Sequence, residues 1–207
     1  MITVKRHPML WVVSAPSGAG KTTLCDRLVA DEDTITYSVS CTTRAPRAGE
    51  IDGKSYFFLS ESAFDARVAT GEFLEHAVVH GNRYGTLVRT VRDAMAAGRD
   101  VLMDIDVQGA AQIRAALAFD TALADLRAAY VDIFIAPPSL RDLQLRLWGR
   151  GQDDEAVIEK RLAGAADELG HWRDYQYVIV NDQLETSYRT LHAIWTAECR
   201  RTQRLAD

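Results

Sequence analysis

The chain has 207 residues, 47% of them hydrophobic and 26% charged, with 24 Lys+Arg against 29 Asp+Glu for a formal net charge of −5. At about 150 residues per domain this is one core with elaborations, and the composition excludes a disordered or fibrous chain. A net negative surface does not draw in a nucleic-acid backbone over long range, so any polyanion must be met by a local arginine cluster.

No apolar stretch approaches the roughly 18 residues that span a bilayer, and Met1–Pro8 has no apolar segment leading to a small-residue cleavage site. Three scattered cysteines, Cys25, Cys41 and Cys199, suggest neither a disulfide framework nor a zinc site. The expectation is a cytoplasmic protein with no membrane and no nucleic-acid partner; monomer and homo-oligomer stay equally open.

The apolar run Met9–Val13 predicts a buried strand of a parallel sheet, with a helix following from about Lys21 to Val29, Leu24 and Leu28 inward. Ile35–Ser40 alternates apolar and polar, which predicts a half-buried strand. From Arg44 to about Tyr84 turn formers surround an aromatic strand, Tyr56–Leu59, and a short helix that starts after Ser60 as N-cap and stops at Gly71. The core pattern then resumes with a helix near Val88–Ala97, a buried strand Val101–Ile105, a helix from about Gln108 and a strand Tyr130–Ile135. The stretch Ala115–Ala129 is longer than a plain helix-to-strand connection. Pro137-Pro138-Ser139 breaks the strand and caps a helix to Trp148; Gly149–Asp154 is a turn, and Glu155–Leu169 is helical again. Val178–Val180 is the last strand, followed by a helix from about Glu185 to Arg204 whose final Arg200–Arg204 reads as a solvated end. Strands alternating with helices predict an α/β fold, a parallel sheet covered on both faces, carrying a small mixed insertion.

Directly after the first strand stands Ala15-Pro16-Ser17-Gly18-Ala19-Gly20-Lys21-Thr22, the P-loop pattern with Ala15 where the first glycine is usual. Small residues let successive backbone N–H groups face one concavity, and the helix N-terminus adds its positive dipole end, so the loop suits the phosphates of a nucleoside triphosphate. Lys21 supplies a point charge to the β- and γ-phosphates, and Thr22 is placed to ligate Mg²⁺. Asp104, closing its apolar strand, stands where a carboxylate orients Mg²⁺ through water; the plainer alternative is an exposed strand-end acid. Arg44 and Arg47, separated by the rigid Pro46, can converge on one phosphate with forked hydrogen bonds, against the alternative of ordinary surface charge. Arg141, Arg146, Arg150 and Arg161 bracket the Gly149/Gly151 turn, and Asp142, Asp153, Asp154 and Glu155 offer them partners on a solvated face, the reading that charge pattern alone favours.

The run Ser38–Glu50 resembles the signature of the guanylate kinase family. The likeness continues in Gly71-Glu72-Phe73-Leu74-Glu75, Gly81–Thr86, Asp104–Gly109, Pro137–Ser139, Arg146–Gly151, Lys160–Leu162 and Val180-Asn181-Asp182, covering Leu10 to about Thr196 in order. The resemblance implies that Arg44, Arg47, Tyr56 and Tyr84 hold the phosphate of GMP, while Ser40, Glu75, Thr86 and Asp106 surround its guanine. Guanine offers N1–H and N2–H donors, which carboxylates accept, whereas adenine has an acceptor at N1, so the wrong base would face a carboxylate with a lone pair. The resemblance also implies a catalytic set of Lys21, Arg44, Arg146, Arg150 and Arg161, the last three on a mobile lid, and brings Asn181 to the adenine edge.

The expected architecture is thus a single domain over 1–207 with a P-loop NTPase-type parallel sheet core (about 8–39, 87–139 and 171–207). It carries a GMP-binding insertion (about 40–86) and a helical lid (about 140–170). The implied activity is ATP-dependent phosphorylation of GMP and dGMP with Mg²⁺. The rivals are a non-catalytic binding module of the same family and a sugar-phosphate kinase of the same fold. Trp148, amid the lid arginines, departs from the family picture and suits either a lid anchor or a stack on an arginine.

Overall fold

The computed structural model describes residues 5–79, 81–149 and 155–205. Its strands are β1 (Leu10–Ser14), β2 (Ile35–Tyr37), β3 (Cys41–Thr42), β4 (Phe57–Phe58), β5 (Phe73–Val79), β6 (Asn82–Leu87), β7 (Asp100–Asp104), β8 (Tyr130–Ala136) and β9 (Tyr177–Val180). Its helices are α1 (Lys21–Asp31), α2 (Glu61–Ala69), α3 (Val88–Ala96), α4 (Val107–Phe119), α5 (Ala124–Ala129), α6 (Leu140–Gly149), α7 (Glu155–Leu169) and α8 (Leu184–Glu198).

Every residue of β1 and β8 is buried, which requires helices on both faces. The five-stranded sheet, in the order β2-β7-β1-β8-β9, is parallel throughout. Side chains alternate across it: Leu10 and Val12 pack against Val91, Ile113 and Leu126 of α3, α4 and α5. Trp11 and Val13 pack on the other side against Leu24 and Leu28 of α1 and Tyr188 and Leu191 of α8. The remaining strands form a separate four-stranded sheet in the order β4-β3-β6-β5. Helices α6 and α7 share a small core of their own, Leu143, Leu147, Ile158 and Ala165.

Two expectations need correction, and a third, the length of the 115–129 connection, holds. The strand over Ile35–Ser40 ends at Tyr37, and the chain re-forms as β3 in the second sheet, so 38–40 is the crossing between sheets rather than strand. The long connection Ala115–Ala129 is the end of α4, a 3-10 turn capped by Asp120, and α5; Leu123 and Leu126 are buried on the core. The last helix stops at Glu198, and Arg200–Arg204 is not simply a solvated end: Arg204 is 5% exposed and donates from Nη2 to Glu198 Oε2 at 2.8 Å. A charge pattern alone does not reveal this, because Glu198 and Arg204 meet only after a 3-10 turn folds the tail back. Trp148 is 49% exposed at the end of α6, with no arginine stacked on it among the described residues.

Candidate active site

The loop between β1 and α1 is shaped by glycines that no other residue replaces. Gly18 and Gly20 have φ of 93° and 92°, in the left-handed region that disfavours any Cβ. Space is short as well: a Cβ on Gly18 would lie 2.9 Å from Leu147 Cδ2 of α6, and one on Gly20 would collide with Asn181 Nδ2. Asn181 is buried and donates from Nδ2 to the Ala19 carbonyl at 2.7 Å, so its side chain braces the loop. Gly20, at the N-cap, supplies no side-chain cap, which leaves the first N–H groups of α1 for an anion. Ala15 is 7% exposed and packed in the core, Pro16 is buried, and Ser17 faces out.

Parallel pairing of β1 with β7 sets Val13 beside Asp104 and brings the strand-end carboxylate to the loop. Lys21 Nζ stands 2.5 Å from Asp104 Oδ1 and donates to the Ile105 carbonyl at 2.7 Å, while Thr22 Oγ1 donates to Asp104 Oδ2 at 3.0 Å. Two hard oxygen donors beside a phosphate loop fit Mg²⁺, which is typically held by one or two protein oxygens plus phosphate and water.

The guanine-side residues also meet. A register shift between Phe73 and Glu75 in the β5–β6 pairing turns Glu75 opposite Thr86. Thr86 Oγ1 lies 3.2 Å from Ser40 Oγ. Asp106, one residue beyond Ile105, is the N-cap of α4 and accepts the Gly109 N–H at 2.8 Å, a structural duty that accompanies any substrate role. The carboxylates converge on Gly109, where a Cβ would meet Glu75 Oε2 at 3.3 Å and Asp106 Oδ1 at 3.4 Å. Burial pushes the Glu75 carboxyl above its ordinary value; Thr86 opposes this through hydrogen bonding and the nearby Asp106 charge reinforces it.

On the second sheet, Arg44 is ion-paired to Glu50 at 2.7 Å and sits 5.4 Å from the Tyr56 ring centroid. Tyr84 lies within hydrogen-bonding reach of the same guanidinium, and the Tyr56 and Tyr84 rings meet edge-on at 6.0 Å. Arg47 is exposed and is tied to this group by its main chain, donating its N–H to Glu50 Oε2 at 2.7 Å. Three of the four residues expected at the GMP phosphate therefore cluster by their side chains, and Arg47 sits at the rim. Glu50, to which the sequence reading gave no role, is central; it closes the Ser38–Glu50 run and follows Gly49, six residues from Arg44.

The lid arginines are less convergent. Arg146 donates from Nη2 to the Asn181 and Asp182 carbonyls at 2.7 and 3.3 Å, tying α6 to the loop after β9. Arg161 lies half-buried on α7, Arg141 is exposed, and Arg150 falls outside the described residues. Ser14, also unassigned from sequence, donates to the Asp106 carbonyl at 3.3 Å and links the end of β1 to the base-side turn. A cleft of about 590 Å³ connects the two halves, lined by Thr22, Asp104 and Ile105 on one side and by Ser40, Tyr56 and Thr86 on the other. A larger hollow of about 710 Å³ opens between the second sheet and α3; Glu72 and Asp93 line it, but no phosphate-loop residue does, nor does Glu75 or Asp106.

This chain is similar to proteins of known kind. The family model described as guanylate kinase matches residues 7–198. The guanylate kinase of Ruegeria pomeroyi is 47% identical over 193 residues, 93% of this chain and 87% of that protein. The guanylate kinase of Geobacter sulfurreducens is 45% identical over 204 residues, covering 99% of this chain and 96% of its own length. The crystal structure of guanylate kinase from Anaplasma phagocytophilum matches the fold with a TM-score of 0.71 at 34% identity, covering 99% of this chain and 93% of that one. With matches of one name running along almost its whole length, the chain belongs to the guanylate kinase family.

Proposed function

We propose that the protein transfers the γ-phosphoryl group of ATP to GMP or dGMP, giving ADP and GDP or dGDP. The observation that carries this reading is the pair of carboxylates, Glu75 and Asp106, converging at Gly109, with Thr86, which faces Glu75 across β5–β6, lining the cleft that Thr22 and Asp104 line from the phosphate-loop side. Acceptor-only side chains select the donor edge of guanine and disfavour adenine. Family membership supports the same activity.

The chemistry is an in-line displacement. A phosphate oxygen of GMP attacks the γ-phosphorus, the bond to the β–γ bridging oxygen breaks, and the electron pair leaves with ADP. The GMP phosphate is itself an adequate nucleophile as a dianion, so no general base is required and no covalent enzyme intermediate forms. The N–H groups of the 15–20 loop and Lys21 hold the donor phosphates, with Lys21 leaving the Ile105 carbonyl for phosphate oxygen. Arg44, Arg47, Tyr56 and Tyr84 hold the acceptor phosphate. Arg146, Arg150 and Arg161 belong to a lid over about 140–170 that closes on an insertion of about 40–86, excluding water and offsetting charge that spreads over the equatorial oxygens. Asn181 acts on ATP by bracing the loop at Ala19 as well as by nearing the adenine edge. Thr22, and Asp104 through water, would hold Mg²⁺, which would supply charge neutralisation at the donor phosphates. The buried or half-buried free cysteines fit a reducing cytoplasm, and no described helix is long and apolar enough to cross a membrane.

A coupled ADP-release assay with GMP, AMP and ribose phosphates tests the reading. Turnover is expected with GMP; turnover with a ribose phosphate alone, or with none of the acceptors, would overturn it in favour of the sugar-phosphate kinase or the binding module. The acidic pair also sets a pH dependence. Only the ionised Glu75 accepts both guanine donors, and its pKa lies above the ordinary carboxylate range. The affinity for guanosine, which carries no titrating phosphate, should therefore begin to fall with decreasing pH before an ordinary glutamate would protonate. Glu75→Gln should remove that limb and weaken GMP by about 10- to 100-fold, the loss of a charge-assisted hydrogen bond. A Glu75→Gln protein with the wild-type KM for GMP would refute the assignment.

A further inference from the structure

We infer that Glu50 is the positioning residue of the acceptor-phosphate clamp, fixing which edge of Arg44 is offered to the substrate; this rests on the reading of the cleft as the GMP site. Glu50 grips Arg44 end-on, Nη1 to Oε2 at 3.0 Å and Nη2 to Oε1 at 2.7 Å. The other Nη1 hydrogen goes to the Ala45 carbonyl at 2.7 Å. A guanidinium carries five N–H bonds. Three are thus committed, and the pair that remains is one edge of the fork, Nε–H and the second hydrogen of Nη2. Tyr84 lies within reach of this guanidinium and the Tyr56 ring stands beside it. Two parallel N–H bonds are the arrangement that grips a phosphate in bidentate fashion.

Glu50 is fixed in turn. Its Oε2 accepts the Arg47 N–H, its own N–H donates to the Arg47 carbonyl at 3.1 Å, and the Gly49 turn returns the chain over Arg44. One carboxylate therefore sets the orientation of the first arginine and the backbone course of the second.

The arrangement has an electrostatic cost that makes it testable by sign. Glu50 neutralises one of the two cations that meet a dianionic phosphate. If charge alone governed binding, Glu50→Gln would tighten GMP by raising the local positive potential. If Glu50 orients the fork, the same change weakens GMP, because Arg44 regains its rotamers and the Nε edge is no longer preset.

The experiment is calorimetric binding of GMP and of guanosine to the full-length wild-type and Glu50→Gln proteins, with Glu50→Asp as a charge-keeping, shortened variant. The expected result is a roughly tenfold loss of GMP affinity in both variants, with guanosine affinity unchanged. Retained guanosine binding also reports that each variant is folded. An unchanged or tightened GMP affinity in Glu50→Gln, beside unchanged guanosine, overturns the positioning role while leaving the GMP site intact. A wild-type protein that binds GMP no better than guanosine overturns the site reading itself, and the inference with it.

Discussion

Lys21→Ala should lower turnover with ATP and GMP by on the order of 10³-fold while leaving thermal stability close to that of the parent. The magnitude follows from removing a single preorganised cation from a phosphoryl-transfer site, where charge stabilisation supplies most of the catalysis. Stability should hold because Lys21 is tied to the Ile105 carbonyl and to Asp104 at the rim of the cleft, both partly solvated and able to turn to water. The loss should fall on kcat more than on the KM for GMP, since Lys21 stands on the donor side. Initial rates at saturating nucleotide, read beside a melting curve, check both halves. Wild-type turnover in the folded variant would remove the loop from the mechanism.

Arg204→Ala should be strongly destabilising although it lies outside the hydrophobic core. Arg204 donates to Glu198 Oε2 from Nε at 3.0 Å and from Nη2 at 2.8 Å, and its Nη1 reaches the Ala128 carbonyl at 3.0 Å. Glu198 is 1% exposed and also accepts from the Tyr177 hydroxyl at 2.6 Å. Removing the guanidinium leaves the buried carboxylate only the Tyr177 hydroxyl and the longer, half-exposed Arg201 contact at 3.3 Å, so the cost approaches the roughly 3–5 kcal/mol of breaking a buried pair. For a chain of this size that is a fall in Tm of roughly 6–20 °C at neutral pH.

The same pair has a defined pH signature. Burial alone would raise the Glu198 carboxyl, but its hydrogen bonds to Tyr177 and Arg204, with the nearby arginine charges, bring it below the ordinary value. A lowered folded-state pKa stabilises above the unfolded pKa, and that contribution disappears as pH falls through the folded one. The gap in Tm between parent and Arg204→Ala should therefore be full near neutrality and shrink as pH falls, from above the ordinary glutamate value of about 4.5, where the buried carboxyl of the variant protonates, down through the lowered value of the parent. A gap that is absent at pH 7, or constant down to acid, would contradict the pairing.

Much of the fold was legible because its signals are local. The Met9–Val13 run is apolar at every position, so no surface strand accommodates it, and the small residues after it announce a tight loop into a helix. Ser60 caps α2 as its sequence suggests, accepting the Ala63 N–H at 3.1 Å. The guanine-side set was legible as residue types in order, but its convergence was not. Glu75 reaches Thr86 because the β5–β6 register shifts by a residue, which no pattern of period two encodes. Glu50 and Ser14 were passed over for the same reason: a glutamate six residues past an arginine and a serine at a strand end look ordinary until the turn and the neighbouring strand supply their partners.

From the order of its residues alone, this chain specifies an α/β sheet, a phosphate loop and the chemical types that would read a purine monophosphate, because strand burial, glycine turns and charge are properties of neighbours in sequence. Tertiary structure decided what those residues touch. Asn181 became a brace for the loop, Asp106 a helix cap as well as an acid beside Glu75, and Arg204 a buried partner of Glu198 rather than a solvated tail. Each of these depends on bringing together groups from separate turns or strands, and the distance between such groups is set by packing, on which local sequence is silent.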